Sequence, residues 1–271
     1  MSAFRALQFN MQYGQVWDHH DPDHAPVDLD LSIAEIRAQN ADIVFLQEVE
    51  QARPGGEQLD PPPNYTNLRG MLDGYDSFFS YPKVDPQELP FGIGLCILSR
   101  TPLRDQVRVD LPSPTIEFEF KGERKVPTDR LLIGARTTIA GREMRIFNAH
   151  LLAFFMLNAS SDQHTSQRRR VLGELATTDA PTLLGGDFNV ARHETLLREF
   201  SAAGYHTVQA KEVTWRRRPY VLDHLFYNEY LRPVRYVVKP TVASDHHMVI
   251  ADFDFVSEAD LRGNPRLQER R

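Results

Sequence analysis

Eight residues able to bind metal ions or transfer protons lie beside apolar runs of this 271-residue sequence. They are Asn10, Glu48, His150, Asp187, Asn189, Asp223, Asp245 and His246. In an α/β protein, ligands gather outside the ends of strands. We therefore expect these side chains, which are far apart along the chain, to meet in one cleft.

A set of this composition favours metal-assisted hydrolysis. A carboxylate at the edge of a core costs free energy unless it is paired or bound to a cation. Glu48, Asp187, Asp223 and Asp245 would repel one another unless a metal or protonation intervened. Oxygen ligands without a cysteine cluster suit Mg²⁺, with Mn²⁺ as a substitute, better than zinc. Such a site supports attack of water on phosphorus, and a positioned base orients the nucleophile.

The elements that must position these residues follow a mixed α/β pattern. Helices are predicted after a cap at Asp30 or Ser32, near 163–176 and at about 193–202, and residues 51–64, rich in proline and glycine, are predicted as a surface loop. Strands are predicted at 3–10, 43–46, 91–99, 103–111, 115–120, 130–139, 143–150, 181–187, 222–228, 233–238 and 246–255.

Composition predicts one globular domain over residues 1–256 and a charged, loosely held tail over 257–271. With 41% hydrophobic residues, the chain can bury a sizeable core, which excludes the disordered and collagen-like classes. No apolar run approaches 18 residues, and the first residues lack the layout of a secretion signal. The single cysteine, Cys96, cannot form an intramolecular disulfide. We therefore expect a cytoplasmic protein without stable membrane insertion. No protein partner can be inferred from the sequence.

Charge is distributed unevenly along the chain. The net charge is −6, which argues against a protein that coats nucleic acid. Residues 1–64 contain three basic side chains against eleven acidic ones, whereas residues 211–240 contain seven basic against three acidic. An acidic region suits a divalent cation and a basic region suits a phosphate, although solvated faces of different charge are the simpler interpretation.

Five short motifs resemble those of the endonuclease/exonuclease/phosphatase superfamily in their order and approximate spacing. They are Leu46-Gln47-Glu48-Val49, Asn148-Ala149-His150-Leu151, Gly185-Gly186-Asp187-Phe188-Asn189, Leu222-Asp223-His224-Leu225-Phe226 and Ser244-Asp245-His246-His247. The resemblance covers nearly the whole chain. It implies a four-layer α/β sandwich in which two mostly antiparallel sheets pack face to face, with helices outside.

The same resemblance implies a role for each residue. Glu48 would be the principal Mg²⁺ ligand, with Asn10 and Asp245 as direct or water-mediated ligands. Asp187 would orient or deprotonate the attacking water, while Asn189 and His150 would hydrogen-bond the pentacovalent phosphorus. His246 would meet the phosphate or the water, and Asp223 would fix its tautomer. Whether Asp187 or the Asp223–His246 pair is the base stays open, as does the choice between one metal and two.

Two positions depart from the nuclease pattern. Gln12 stands where nucleases often have an acid, and Val221 stands where many members have a basic residue. We assign substrate contacts to Trp17 and to Arg216, Arg217 and Arg218. Residues 18–24, rich in histidine and aspartate, are expected to form a solvated loop rather than a second metal site. Residues 151–157 are apolar and form either core or an exposed rim.

The leading hypothesis is a magnesium-dependent phosphoesterase that hydrolyses a phosphodiester by in-line attack of an activated water. One alternative is a DNA or RNA endonuclease or exonuclease that uses the basic 211–240 region. Another is a phosphatase or phosphodiesterase acting on a lipid headgroup or small metabolite. The non-enzyme alternative is a catalytically silent binding protein with the same fold. The natural substrate and the oligomeric state do not follow from the sequence.

Overall fold

The computed structural model of the chain describes residues 3–176 and 180–257. The predicted tail, 257–271, therefore lies outside the described residues except for Ser257. In the described part, the strands are β1 (Phe4–Asn10), β2 (Ile43–Gln51), β3 (Asp76–Ser80), β4 (Gly92–Ser99), β5 (Arg104–Leu111), β6 (Phe118–Phe120), β7 (Glu123–Lys125), β8 (Arg130–Ile139), β9 (Arg142–His150), β10 (Thr182–Asp187), β11 (His206–Thr207), β12 (Asp223–Tyr227), β13 (Leu231–Lys239) and β14 (Met248–Phe255). The α-helices are α1 (Leu29–Ala38), α2 (Pro63–Met71), α3 (Ser166–Leu175) and α4 (His193–Ala202).

Two six-stranded sheets form the centre of the fold. The first has the order β13-β14-β1-β2-β4-β3, and the second has the order β11-β12-β10-β9-β8-β5. Each sheet contains one parallel pair, β1 with β2 and β9 with β10, while their other ladders are antiparallel. The strands β6 and β7 form a separate hairpin. The sheets are therefore mostly antiparallel, as predicted.

The alternation of β1 shows how the layers are stacked. Phe4 and Ala6 belong to the core between the two sheets, where residues of both sheets meet. Leu7 and Phe9 point to the other face of the first sheet, which α1 and α2 cover. The second sheet is covered in the same way by α3 and α4. The result is the predicted four-layer sandwich of helices, sheet, sheet and helices.

The sheets approach closely near the end of β10. A Cβ atom added to Gly185 would lie 2.4 Å from the ring of Phe45 on the opposite sheet. Phe45 is fully buried there. Glycine at this position thus lets a large ring from β2 fill the space between the sheets.

Several local predictions were wrong. The helix α1 begins earlier than expected, because the carboxylate of Asp28 accepts a hydrogen bond from the Leu31 amide at 2.9 Å, and Ser32 is buried inside the helix. Within the predicted 51–64 loop, β2 extends to Gln51 and α2 begins at Pro63, since proline is well suited to the first helical position. The prediction also missed β3, and 115–120 contains only the short β6.

Candidate active site

The ends of the two parallel pairs bring the predicted residues together. In the first sheet, Asn10 at the end of β1 pairs with Gln47, which directly precedes Glu48. In the second sheet, Asp187 at the end of β10 pairs with His150 on one side and with Asp223 on the other. Because the sheets face each other, the strand ends of both sheets form one polar edge.

Asn10 connects the two sheets at this edge. Its side-chain amide donates hydrogen bonds to Glu48 Oε1 at 2.9 Å and to Asp187 Oδ2 at 3.0 Å. Its own Oδ1 accepts a bond from the backbone amide of Gln12 at 3.1 Å. Asn10 is fully buried. Two carboxylates from different sheets are therefore held around one amide group.

An irregularity in β2 sets the position of Glu48. The register with β4 shifts between Gln47 and Glu50, and Glu48 has a φ of 51°. A Cβ atom added to Gly92 would lie 2.2 Å from the Glu48 carboxylate. Gly92 thus leaves the space that this side chain occupies, and the bulge directs it toward the edge.

Two imidazoles flank the Asp187 carboxylate. The Nε2 atoms of His150 and His246 both lie 3.7 Å from Asp187 Oδ2. His150 Nε2 is also 3.9 Å from Glu48 Oε1. The Nδ1 atom of His246 is 2.8 Å from Asp223 Oδ2, and this contact leaves Nε2 directed at Asp187. The predicted Asp223–His246 pair is thus formed.

Asp245 lies next to His246, on the outer side of this centre. Its Oδ1 is 3.9 Å from His246 Nε2. Its Oδ2 accepts hydrogen bonds from Trp215 Nε1 at 3.1 Å and from Arg217 Nε at 2.7 Å. Its backbone amide donates to Gln12 Oε1 at 3.3 Å. An arginine and an indole therefore already bind the carboxylate that was predicted as a metal ligand.

The electrostatics of the centre reflect crowded, buried carboxylates. Burial raises the pKa of Glu48 to about 7, and Asp245 adds to the effect. Burial and the charge of Asp223 raise the pKa of Asp187 to about 8. Burial disfavours charge on His246, but Asp223 and Asp187 outweigh it and raise its pKa to about 10. Burial lowers the pKa of His150. Such shifts are typical of sites that do chemistry or bind cations.

A sequence model of the endonuclease/exonuclease/phosphatase family matches residues 7–246. The chain belongs to this family. Its members are divalent-metal-dependent hydrolases that act on phosphoester bonds. The resemblance inferred from the five motifs is confirmed, and no curated protein matches the chain in sequence.

Solved structures of family members share the fold. An endonuclease/exonuclease/phosphatase from Beutenbergia cavernae has 20% identity and a TM-score of 0.70, over 93% of this chain and 71% of that one. The human Nocturnin catalytic domain with bound sulfate has 19% identity and a TM-score of 0.63, over 93% of each chain. The mannosyl-6-phosphatase Bt3783 of Bacteroides thetaiotaomicron has 15% identity and a TM-score of 0.66, over 93% of this chain and all of that one (100%).

The donor set fits the divalent cation on which the family depends. Glu48, His150 and Asp187 each offer one ligand atom, all within 4.8 Å of one another, and Asp187, Asp223 and His246 form a second such group. The side-chain amide of Asn10 lies beside both groups and donates to Glu48 Oε1 and Asp187 Oδ2. Carboxylate oxygens suit a hard divalent cation, and imidazole suits several transition metals.

Asn189 adjoins the centre by a different geometry from the one expected. A spacing of two on an extended chain would place Asp187 and Asn189 on the same side, but β10 ends at Asp187 and Asn189 has a φ of 50°. This turn lets the Asn189 backbone amide donate to Asp187 Oδ1 at 3.0 Å. The side-chain amide donates to the Leu151 carbonyl at 3.0 Å. The contact of Asn189 with a phosphate stays a prediction.

The predicted substrate residues lie along a groove beside Asp245 and His246. Its volume is about 500 Å³, and its walls include Trp17, Arg216, Arg217 and Arg218. The guanidinium groups of Arg216 and Arg217 lie 5.8 and 5.9 Å from the centre of the Trp17 ring. Arg217 also binds Asp23 Oδ1 at 2.6 Å.

Residues 151–157 combine both roles that were left open. Leu151, Leu152 and Phe154 are buried, whereas Met156 is 59% exposed. Between them, Phe155 packs against Trp215 and Tyr220, with ring centres 5.5 and 5.3 Å apart. The segment is therefore core at its start and rim toward its end.

The histidine-rich 18–24 loop does not form a metal cluster in the described part of the chain. His19 and His20 are exposed, and His24 pairs with Asp21 at 2.9 Å. Potential ligand atoms converge only in the two groups at the strand ends, as far as the described residues extend.

Sequence reasoning missed several supporting residues. Gln8 donates from Nε2 to Asp223 Oδ1 at 2.7 Å. Thr214 Oγ1 accepts the backbone amides of Leu222 and Asp223 at 2.9 and 3.1 Å. Gln8 lies two residues before Asn10, so it shares the inner face of β1, and that spacing was an available signal. Thr214 and the amides that it accepts are eight and nine residues apart across a loop, so no local sequence pattern signals this contact.

Proposed function

We propose that this chain is a magnesium-dependent phosphodiesterase that uses an activated water for in-line attack on phosphorus. The observation that carries the proposal is the meeting of Asn10, Glu48, His150, Asp187 and His246 at one edge of the sandwich. Burying these groups together is costly unless they bind a charged substrate and cation. Family membership supports hydrolysis of a phosphoester bond.

Glu48 is the proposed principal ligand of the cation, with Asn10 and Asp245 contributing directly or through water. When bound, Mg²⁺ would neutralise charge that develops on the phosphoryl oxygens. Asp187 and His150 lie close enough to Glu48 to share the same substrate phosphate. Asn189 is proposed to hydrogen-bond the phosphoryl group from the same edge.

Two groups are positioned to take the proton of the attacking water. Asp187 Oδ2 lies between the imidazoles of His150 and His246, 3.7 Å from each Nε2. The Asp223 carboxylate binds His246 Nδ1 and so directs Nε2 to the same point. As the water oxygen bonds to phosphorus, its proton passes to one of these groups, and the bond from phosphorus to the leaving oxygen breaks.

Asp223→Asn tests which group accepts the proton. If the Asp223–His246 pair is the base, loss of the correct tautomer lowers turnover by about 10⁴-fold, as for a comparable catalytic pair. If Asp187 is the base, Asp187→Asn has the larger effect of the two. Pre-steady-state and steady-state turnover of both variants, at saturating Mg²⁺, separates the two assignments.

The activity itself is tested with bis(p-nitrophenyl) phosphate and with the monoester p-nitrophenyl phosphate, each with Mg²⁺ or Mn²⁺. We expect diester hydrolysis that is lost in Asp187→Ala and His246→Ala. Glu143→Gln is the matched control, because Glu143 is an exposed carboxylate at the opposite end of β9 from His150. Preferential monoester hydrolysis would indicate a phosphatase. Cation binding without hydrolysis of any substrate in a broad phosphoester panel would contradict the proposal and support a silent binding protein.

A further inference from the structure

The groove beside the candidate active site has an aromatic and basic lining. It is formed by Trp17, Val213, Trp215, Arg216, Arg218 and His247, among others. Trp215 connects it to the reaction centre, since its indole binds Asp245 and its ring centre is 6.3 Å from that of His246. The groove therefore adjoins the reaction centre on the side of Asp245.

Two buried nitrogen atoms of this lining have no hydrogen-bond partner among the residues that the structure describes. They are Arg216 Nε and His247 Nδ1. An unpaired buried polar group costs about 1–3 kcal/mol, so native proteins leave few of them. Both residues border the same groove, and this coincidence indicates a missing partner.

The charge of the groove is only partly neutralised. Arg217 is paired with Asp245 and Asp23. Arg216 has no carboxylate within ion-pair distance among the described residues, and its hydrogen bond goes to the Thr241 carbonyl. Burial lowers the pKa of this guanidinium, and the charge of Asp245 offsets part of the effect. Arg218 is exposed and likewise lacks an ion-pair partner in 3–176 and 180–257. Arg216 and Arg218 therefore border the space without an ion-pair partner among the described residues.

We propose that this groove binds a second phosphate group of the substrate, covalently linked to the phosphodiester that is cleaved. This inference rests on the proposed function, because it assigns the substrate class of the same site. Guanidinium groups bind phosphate oxygens through paired, charge-assisted hydrogen bonds, and the buried Nε–H of Arg216 has no hydrogen-bond partner among the described residues. The substrate is thus a phosphodiester with an additional phosphate, such as a terminally phosphorylated oligonucleotide or a phosphorylated inositol headgroup.

A binding experiment tests the groove without requiring turnover. The chain contains two tryptophans, Trp17 and Trp215, and both line the groove, so intrinsic fluorescence reports on it. Inorganic pyrophosphate is titrated in the presence of EDTA. We expect a saturable change in fluorescence, with a Kd that rises at least about tenfold in Arg216→Met, in keeping with the loss of a charge-assisted bond.

Matched variants keep this experiment interpretable. Arg218→Met changes an exposed side chain and should weaken binding without affecting the fold. Arg104→Met is the control, because Arg104 is exposed and lies far from the site. It pairs with Arg136 on β8, whereas the opposite end of β8 pairs with His150. No saturable signal in the wild type, or equal Kd values in wild type and both groove variants, would overturn the proposal.

A kinetic experiment identifies the source of the second phosphate. Thymidylyl-thymidine is compared with its 5′- and 3′-phosphorylated forms, and glycerophosphoinositol is compared with its 4-phosphate. In one of these sets, we expect kcat/KM to be about tenfold higher for the phosphorylated substrate than for its unphosphorylated parent. Arg216→Met should abolish this difference. A preference in the first set indicates nucleotides, and one in the second indicates lipid headgroups. Hydrolysis without preference in either set overturns the inference but leaves the proposed function intact; no hydrolysis at all contradicts the proposed function.

Discussion

The two ends of β1 differ in how their neighbouring carboxylates are paired. Near its start, Arg5 binds Asp252 at 2.7 Å, and Arg235 binds the same carboxylate. Hydrogen bonding to Arg5 is the main cause of the lowered pKa of Asp252. At its end, Asn10 stands between two buried carboxylates whose pKa values are raised. One strand therefore has a satisfied ion pair at one end and crowded acids at the other.

This difference separates charges that stabilise the fold from charges that serve the site. Asp252 gains from folding because two guanidinium groups meet it. Glu48 and Asp187 lose solvation on folding, and the amide of Asn10 and the charge of His246 offset only part of this loss. A cluster that opposes folding is expected where a ligand supplies the missing charge.

Among the variants that test this contrast, the one that removes a charge at the crowded end has the largest expected effect. Glu48→Gln keeps the shape of the side chain but removes the carboxylate proposed to hold the cation. We expect diester turnover to fall by about 10³-fold, in the range seen when one stabilising group of a charged transition state is lost. Turnover is measured at several Mg²⁺ concentrations. Full activity at saturating Mg²⁺ would contradict the assignment of Glu48.

The next effect comes from Gln8, which supports the site indirectly. Gln8→Leu removes the donor that binds Asp223 Oδ1, so Asp223 no longer has a fixed orientation toward His246. We expect a loss of about 10–100-fold in kcat with little change in KM, as for other residues that orient a ligand or base.

The pH profile of Gln8→Leu distinguishes positioning from damage to the fold. A positioning role shifts the acidic or basic limb of kcat, whereas partial unfolding lowers activity equally at every pH. Gln8→Glu retains a group of similar size but adds a carboxylate beside Asp223, and it should be at least as impaired. Recovery of activity in Gln8→Glu would argue against the assigned contact.

A smaller effect is expected on stability, with opposite signs for metal-free and metal-bound protein. In EDTA at pH 8, Glu48→Gln should be more stable than the wild type by about 1–2 kcal/mol, because an amide avoids the cost of a buried carboxylate. This corresponds to an increase in Tm of roughly 2–8 °C. Saturating Mg²⁺ should raise the Tm of the wild type only. Glu143→Gln should behave like the wild type under both conditions.

Much of this contrast is visible in the sequence, for a physical reason. Alternation in β1 and the apolar run of β2 depend on burial, which acts locally, so both strands and the inner position of Asn10 could be predicted. The motifs at 187–189 and 244–247 indicated the site for the same reason: polar residues directly adjoin apolar ones. Family resemblance then supplied the sandwich topology.

Other features depend on contacts between distant segments. The bulge at Glu48 needs Gly92 on the next strand, and the binding of Asp245 by Trp215 and Arg217 needs a loop to fold over the edge. The helix α2 was missed because its proline-rich start resembles a loop, although Pro63 suits its first position. The turn at Asn189 breaks the extended geometry that spacing implied.

The smallest effect concerns the satisfied end of β1. The pKa of Asp252 is lowered in the folded protein, so its contribution to stability is present above its ordinary value of 3.8 and is lost as the pH falls through the folded pKa. Allowing for solvent screening, Asp252→Asn should cost about 0.5–1 kcal/mol at pH 7. Urea unfolding of both proteins between pH 7 and pH 3 should show this difference shrinking below pH 4. Asp105→Asn, which removes an exposed carboxylate 3.4 Å from Arg136, is the control and should have no measurable effect. A constant difference across this range would mean that Asp252 acts through packing, and the two ends of β1 would then not differ in the way their charges indicate.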